Sequence, residues 1–249
     1  IITTFSFLTV FVICIIPESL EHNDKFLNPK INLEYVTNVG TNEIYLLGPN
    51  KYLVKTNVLL DEDSITTQIE SIIDYLTIQK VDKIPTGLMG VIPAQTKLNN
   101  VEIKDRIAIL DFSKEILSTT EELEERVVEA IVYSIINLDG IEGVTIKVEG
   151  DLLTELPKTK KSIPEILNRN FGINKVFDID RLNGIQKVTV YYVDKISNQN
   201  YYVPVTKYIN DDREKVNIII DNLASHYIYE SSLVSLLSQD TELINYEIQ

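Results

Sequence analysis

Two stretches of this chain carry nearly the same message. Ile72-Ile73-Asp74-Tyr75-Leu76 returns as Ile219-Ile220-Asp221-Asn222-Leu223, and each is preceded by two β-rich runs about a turn. In the first copy the runs are Glu43 to Leu47 and Tyr52 to Leu60, with Gly48-Pro49-Asn50 between them. In the second they are Lys187 to Val193 and Tyr201 to Tyr208, with Asn198 to Asn200 between them. Turn-forming clusters between such runs predict hairpins. A hairpin with one amphipathic helix buries too little apolar surface to stand alone. The repeat therefore predicts small domains that each recruit further elements, and 249 residues leave room for two.

The first copy reads through to a closed unit. Asp63 or Ser64 is placed to cap a helix in which Ile65, Ile69, Ile72 and Leu76 share one face. Pro85 and Gly87 lie past its end. Thr96 to Leu98, Val101 to Ile103 and Arg106 to Phe112 carry a second strand pair, with Asn99-Asn100 or Lys104-Asp105 as the turn. Thr119-x-x-Glu122 has the form of a capping box. It opens a second helix with Leu123, Val127, Ile131 and Ile135 at every fourth position, and Gly140 and Gly143 stop it. Val144 to Glu149 alternates apolar and polar and predicts a closing strand.

The segment 151–185 contains Pro157, Pro164 and the basic cluster Lys158, Lys160 and Lys161 without long periodicity. It reads as a linker with a short helix near Pro164 to Asn168. The second copy then supplies its hairpin and a helix, with Asp212 as the cap and Val216, Ile219, Ile220 and Leu223 on one face. It reaches a strand over Glu242 to Ile248 and is expected to be incomplete, the natural protein continuing past Gln249. The fold class is α+β: two tandem small two-layer α/β domains, each with a mixed sheet and two helices, the second truncated. The divisions are 1–17, a membrane anchor or signal segment; 18–41, a polar stalk; 42–150, the first domain; 151–185, the linker; and 186–249, the second domain.

The anchor reading rests on Ile1 to Ile16, which is apolar and uncharged. A bilayer core takes about 20 such residues in a helix, and the chain does not begin with Met. The acidic flank from Glu18 to Asp24 favours the extracytoplasmic side. Cys14 invites a lipoprotein reading, but Phe11-Val12-Ile13 lacks the small residue that cleavage before a lipidated cysteine requires. An uncleaved anchor is the preferred reading, with lipidation and cleavage as the alternatives.

Composition removes many chemistries. The formal net charge of −14 argues against nucleic acid as a partner, because phosphate contacts need surplus Lys and Arg. One cysteine gives no internal disulfide and no cysteine zinc site. His22 and His226 are too few and too far apart in sequence for a His-rich metal centre. Phosphate-binding loops, dinucleotide fingerprints and H-E-x-x-H are absent. No catalytic, cofactor-binding or metal-binding residue is assigned, and no cofactor is expected.

The remaining candidates have blander readings. Asp111 and Ser113 stand at a strand-to-helix corner, where a catalytic pair competes with the commoner task of accepting backbone N–H bonds; the latter is favoured. His226, near Asp221 and Ser225, reads as a solvated helical histidine. Glu121, Glu122, Glu124, Glu125 and Glu129 complement a helix dipole and read as a solvated face rather than a metal site. Asp61, Glu62 and Asp63 lack the spacing of a calcium loop. Tyr191, Tyr192, Tyr201, Tyr202 and Tyr208 offer a face for sugars or a peptide, against the simpler reading of strand propensity with half-burial.

Ile84-Pro85-Thr86-Gly87-Leu88, then Ile92-Pro93-Ala94-Gln95-Thr96-Lys97-Leu98, the strand Ala108-Ile109-Leu110-Asp111-Phe112-Ser113 and the closing Val144-Thr145-Ile146-Lys147-Val148-Glu149-Gly150 together resemble the GerMN domain family of sporulation and spore germination proteins. The resemblance covers Asn42 to Gly150 and the front half of a second copy from about Gln186. It implies a small α/β domain similar to the ring-building domains of secretion systems. It also implies a membrane-anchored, extracytoplasmic, non-enzymatic assembly protein in the complex that joins mother cell and forespore. The partners implied are other envelope or sporulation-complex proteins, with self-association and peptidoglycan as further candidates and the membrane held through the N-terminal segment. Two rival readings stand beside it. One is a cell-wall glycan-binding module using the tyrosine face; the other is a secreted hydrolase using Asp111, Ser113 or His226.

Overall fold

β1 (Thr41–Leu47) and β2 (Leu53–Leu59) pair antiparallel with Leu47 opposite Leu53, forming the first hairpin. The computed structural model describes residues 41–60, 64–79, 84–225 and 232–238, with 241, 243, 244 and 246. The expected anchor, the stalk, the Asp61–Asp63 run, His226 and most of the strand expected over 242–248 lie outside the described residues.

α1 (Ile65–Leu76) follows, and the Ser64 side chain accepts from Thr67 N at 3.2 Å, as a cap should. Its Ile69, Ile72, Ile73 and Leu76 are buried with Ile44, Leu46 and Val54 of the hairpin. β3 (Leu98–Lys104) and β4 (Ile107–Phe112) turn at Asp105 and Arg106, which both adopt positive φ (50° and 66°). That backbone suits a two-residue turn whose twist matches the strands. α2 (Glu121–Ile135) crosses over to β5 (Gly143–Val148), which lies parallel to β4. Parallel pairing demands such a crossover. β6 (Asp151–Leu152) completes a mixed sheet in the order β3-β4-β5-β6.

The capping box is not formed. Thr120, not Thr119, precedes α2, and its side chain makes no capping hydrogen bond. The Glu122 carboxylate meets Lys51 Nζ at 2.6 Å instead, and the Thr119 carbonyl accepts from the Lys158 ammonium.

Much of 151–176 packs onto the fold, whereas 177–185 are exposed. Leu156, Ile163, Leu167 and Ile173 are buried, and Leu167 bridges Val144. A single 3-10 turn at Arg169–Phe171 stands just beyond the expected short helix. β7 (Val176–Asp178) lies parallel to β9 (Gln199–Asn210), which pairs antiparallel with β8 (Ile185–Ile196). These apolar residues fall at irregular intervals, so no periodic signal announced them.

The second repeat reproduces the first at the level of hydrogen bonds. Leu47 and Met89 exchange backbone bonds of 2.9 and 3.0 Å, and Val193 and Val234 exchange bonds of 2.9 and 2.8 Å. The carbonyl ending α1, Leu76 O, accepts from Val91 and Ile92; Leu223 O, near the end of α3 (Lys215–Ala224), accepts from Leu237. Asp212 is not the cap of α3. Glu214 holds that position, and Asp212 faces Arg181 instead. The expected face of α3, Val216, Ile219, Ile220 and Leu223, is only half-buried, and the buried residues of the helix are Ile218 and Ala224 instead. The reason is that α1 is flanked by β3 and α2, whereas α3 packs chiefly on β8 among the described residues.

Candidate functional site at the joint between the repeats

The groups with the most constrained geometry lie where the two hairpins meet. Asn174 is fully buried with φ of 48°, a left-handed conformation that asparagine tolerates better than most residues. Its Oδ1 accepts from Leu53 N at 2.9 Å, and its Nδ2 donates to Leu53 O and to Pro204 O, each at 2.8 Å. One side-chain amide thus replaces a ladder bond between β2 of the first repeat and β9 of the second. Next to it Thr206 N donates to Ile173 O at 2.8 Å, and Ile173 N donates to Thr206 Oγ1 at 3.0 Å.

Behind Asn174 stands Glu129, at 0% exposure. Its Oε2 accepts from Asn174 N at 2.9 Å and from Arg126 Nη1 at 2.6 Å. Its Oε1 lies 3.8 Å from Lys175 Nζ and has no hydrogen-bond partner. Burial pushes its carboxyl above the usual value; Arg126, Lys175 and the Asn174 N–H offset this only in part. Lys175 in turn meets Glu125 at 2.6 Å and sits 3.3 Å from the centre of the Phe171 ring.

The hairpin tips close the other end of the joint. Asn50 Nδ2 donates to Asp194 Oδ2 at 3.0 Å and to Ser232 Oγ at 2.5 Å. A methyl group added at Gly87, whose φ is 91°, would stand 2.6 Å from Ile196 Cγ2, so the tip of β8 fits only against a glycine. Tyr45 and Tyr133 meet edge to face at 5.6 Å, and the Tyr133 hydroxyl donates to Arg169 O at 2.9 Å. Burial pushes that hydroxyl up to about 12.

Of the glutamates expected on a solvated face, Glu121 and Glu122 are exposed, whereas others are structural. Besides Glu129, Glu124 is buried and accepts from Lys158 N, Thr159 N and Thr159 Oγ1, each at 2.8 Å. Burial alone would raise its carboxyl, but those donors hold it below the ordinary range. The turn carrying the basic cluster is thus folded around a carboxylate. Sequence reasoning missed Asn174, Glu129 and Glu124 as joint and loop clamps. The one local signal was Asn174 two residues after Gly172, in a stretch that must bend.

Asp111 and Ser113 take the roles favoured for them. Asp111 Oδ1 accepts from Gly150 N at 2.8 Å, and Ser113 Oγ accepts from Lys97 N at 2.9 Å. The tyrosine group divides by strand parity: Tyr192 and Tyr201 are buried, while Tyr191 and Tyr202 are exposed on the opposite face. Tyr208 is half-buried and stacks on Phe177 with ring centres 4.7 Å apart.

A groove of about 660 Å³ runs past the start of α2, lined in part by Glu121, Glu122, Glu125, Arg126, Lys175 and Phe177. Apart from Glu121 its charges are spent on neighbours: Glu122 on Lys51, Glu125 on Lys161 and Lys175, Arg126 on Glu129. Among the described residues no three His, Cys, Asp or Glu side chains are placed to hold a metal ion. Among them, too, no helix is long and apolar enough to cross a membrane.

Comparison with known proteins gives three findings. A family model described as Germane, sporulation and spore germination, matches residues 43–154. The spore germination protein GerM of Bacillus subtilis (strain 168) is 30% identical over 207 residues, which is 82% of this chain and 56% of that protein, so the chain spans little more than half of its length. The solved tandem GerMN domains of the sporulation protein GerM from Bacillus subtilis superpose with a TM-score of 0.77 at 29% identity, covering 85% of this chain and 76% of the other.

Proposed function

Because this chain belongs to the GerMN family of sporulation and spore germination proteins, we propose that it is a non-enzymatic assembly protein of the bacterial envelope. It docks other envelope or sporulation-complex proteins, and copies of itself, on the extracytoplasmic side, held to the membrane by residues 1–17. The observation that supports this reading most is how the polar groups of the joint are used. Asn174, Glu129, Thr206 and Asn50 hold two repeats against each other, and Asp111 and Ser113 serve as backbone acceptors. Groups committed in this way give shape and rigidity rather than proton transfer or nucleophilic attack. An assembly component gains from that rigidity, because preset geometry lowers the entropy cost of docking.

Deletion of the gene in its sporulating host tests this, scored for completion of engulfment and for heat-resistant spores. Loss of heat-resistant spores, restored by the intact gene, is expected; normal sporulation would remove the role. The glycan-binding alternative now rests chiefly on Tyr202 and Tyr191, since Tyr192 and Tyr201 are buried. Under the assembly reading, Tyr202→Ala leaves sedimentation with purified peptidoglycan unchanged.

A further inference from the structure

A second place in the molecule has chemistry that the joint does not use. Between the end of β7, the end of β9 and α3 lies a cleft of about 400 Å³. On it opens Lys207, which is 9% exposed. The Lys207 ammonium donates to Asn222 Oδ1 at 2.5 Å. Asn222 is itself fixed, because its Nδ2 donates to Ile218 O at 2.8 Å, which leaves Oδ1 turned toward the lysine. An ammonium carries three donors. Among the described residues this one has a single amide acceptor and no ion pair. Burial pulls its pKa down and Asp178 pushes it back up. A buried cation so thinly satisfied is costly, and an anion entering the cleft relieves that cost.

The rim selects which anion. Asp178 and Asp180 line the cleft and have no ion pair among the described residues, while Asp211 is taken by Arg213 at 2.8 Å. Asn210 is spent on the loop, accepting from Asp180 N and donating to Arg181 O and Asn183 O. Ile179 and Ile209 supply apolar wall. A simple anion meets these carboxylates on its way in and is repelled. A ligand that carries its own ammonium is attracted by them. We propose that this cleft binds a small zwitterion of the amino-acid class, with its carboxylate on Lys207, its ammonium on Asp178 and Asp180, and an aliphatic side chain against Ile179 and Ile209. The proposal stands independently of the assembly role.

Saturation-transfer NMR on the full chain tests it, with L-valine, isobutyrate and isobutylamine as probes. All three carry an isopropyl group and differ in charge. Transfer to L-valine is expected to exceed transfer to either singly charged probe. Lys207→Met is expected to weaken L-valine binding about tenfold, the scale of one charge-assisted hydrogen bond. Asp180→Asn, on the exposed rim, is expected to narrow the gap between L-valine and isobutyrate while leaving the thermal midpoint unchanged. It therefore reads the site even if Lys207→Met perturbs folding. No transfer from L-valine, or isobutylamine binding as well as L-valine, or Asp180→Asn leaving the selectivity intact, each overturns the proposal.

Discussion

Replacing Asn174 by leucine removes the side-chain link between the repeats while keeping the same branched outline of side-chain heavy atoms. The magnitude follows from the three bonds it makes. Leu53 N–H loses its acceptor in a buried place, and the carbonyls of Leu53 and Pro204 each lose a donor at 2.8 Å. An orphaned buried polar group costs about 1–3 kcal/mol, so three amount to roughly 3–9 kcal/mol if little water enters. The left-handed backbone adds about 1 kcal/mol for a branched side chain. Against a typical stability of about 5–15 kcal/mol, that is a large fraction. Urea denaturation of the full chain followed by far-UV circular dichroism measures the loss, and hydrogen exchange at the Leu53 amide locates it. Asn174→Gly serves as a control that accepts the backbone angle and lacks the three bonds. It is expected to recover only the backbone part. If Asn174→Leu costs less than about 1 kcal/mol and the Leu53 amide keeps its protection, the amide bridge does not hold the repeats together.

Other consequences are equally measurable. Glu129 has a folded pKa raised above its ordinary 4.5, so its protonation favours the fold. That contribution is fully present below 4.5 and is lost as pH rises through the elevated value. Glu129→Gln is expected to flatten this part of the pH dependence of the urea midpoint, and an unaltered profile would contradict the assignment. Glu124→Ala frees the turn at Lys158 to Lys161, and trypsin should cleave there faster than in the parent chain, with fragments identified by mass. Gly87→Ala forces a methyl group to 2.6 Å from Ile196 and strains a φ of 91°. A cost of about 2–3 kcal/mol is expected in thermal or urea unfolding.

Much of the first repeat was legible because its signals are local. Ser64 before an i, i+4, i+7 face, the Lys104-Asp105 turn signal and the strand signal from Val144 to Glu149 each report on a few neighbouring residues; the cap forms, the turn falls one residue further on at Asp105 and Arg106, and the strand spans Gly143–Val148 with Thr145 buried as well. The failures share one cause. Thr119 and Glu122 have the spacing of a capping box, yet the helix begins one residue later, after Thr120, and Lys51, far away in sequence, takes the Glu122 carboxylate. Asp212 stands where a cap belongs but faces Arg181. The glutamates of α2 look like a solvated face because no local pattern reveals that the 158–159 turn and Asn174 will close over Glu124 and Glu129.

The candidate joint was the least legible part. Asn174 is an ordinary residue in a segment without periodicity, and its importance exists only once Leu53 and Pro204 are brought to either side of it. By itself the sequence determined that one hairpin-and-helix unit occurs twice and approximately where its turns fall, since backbone preference and side-chain period are encoded within a few residues. Tertiary structure alone decided how the two units meet, which carboxylates are buried and which tyrosines reach solvent. Those outcomes depend on competition among groups distant along the chain, and desolvation settles that competition only after the chain has packed.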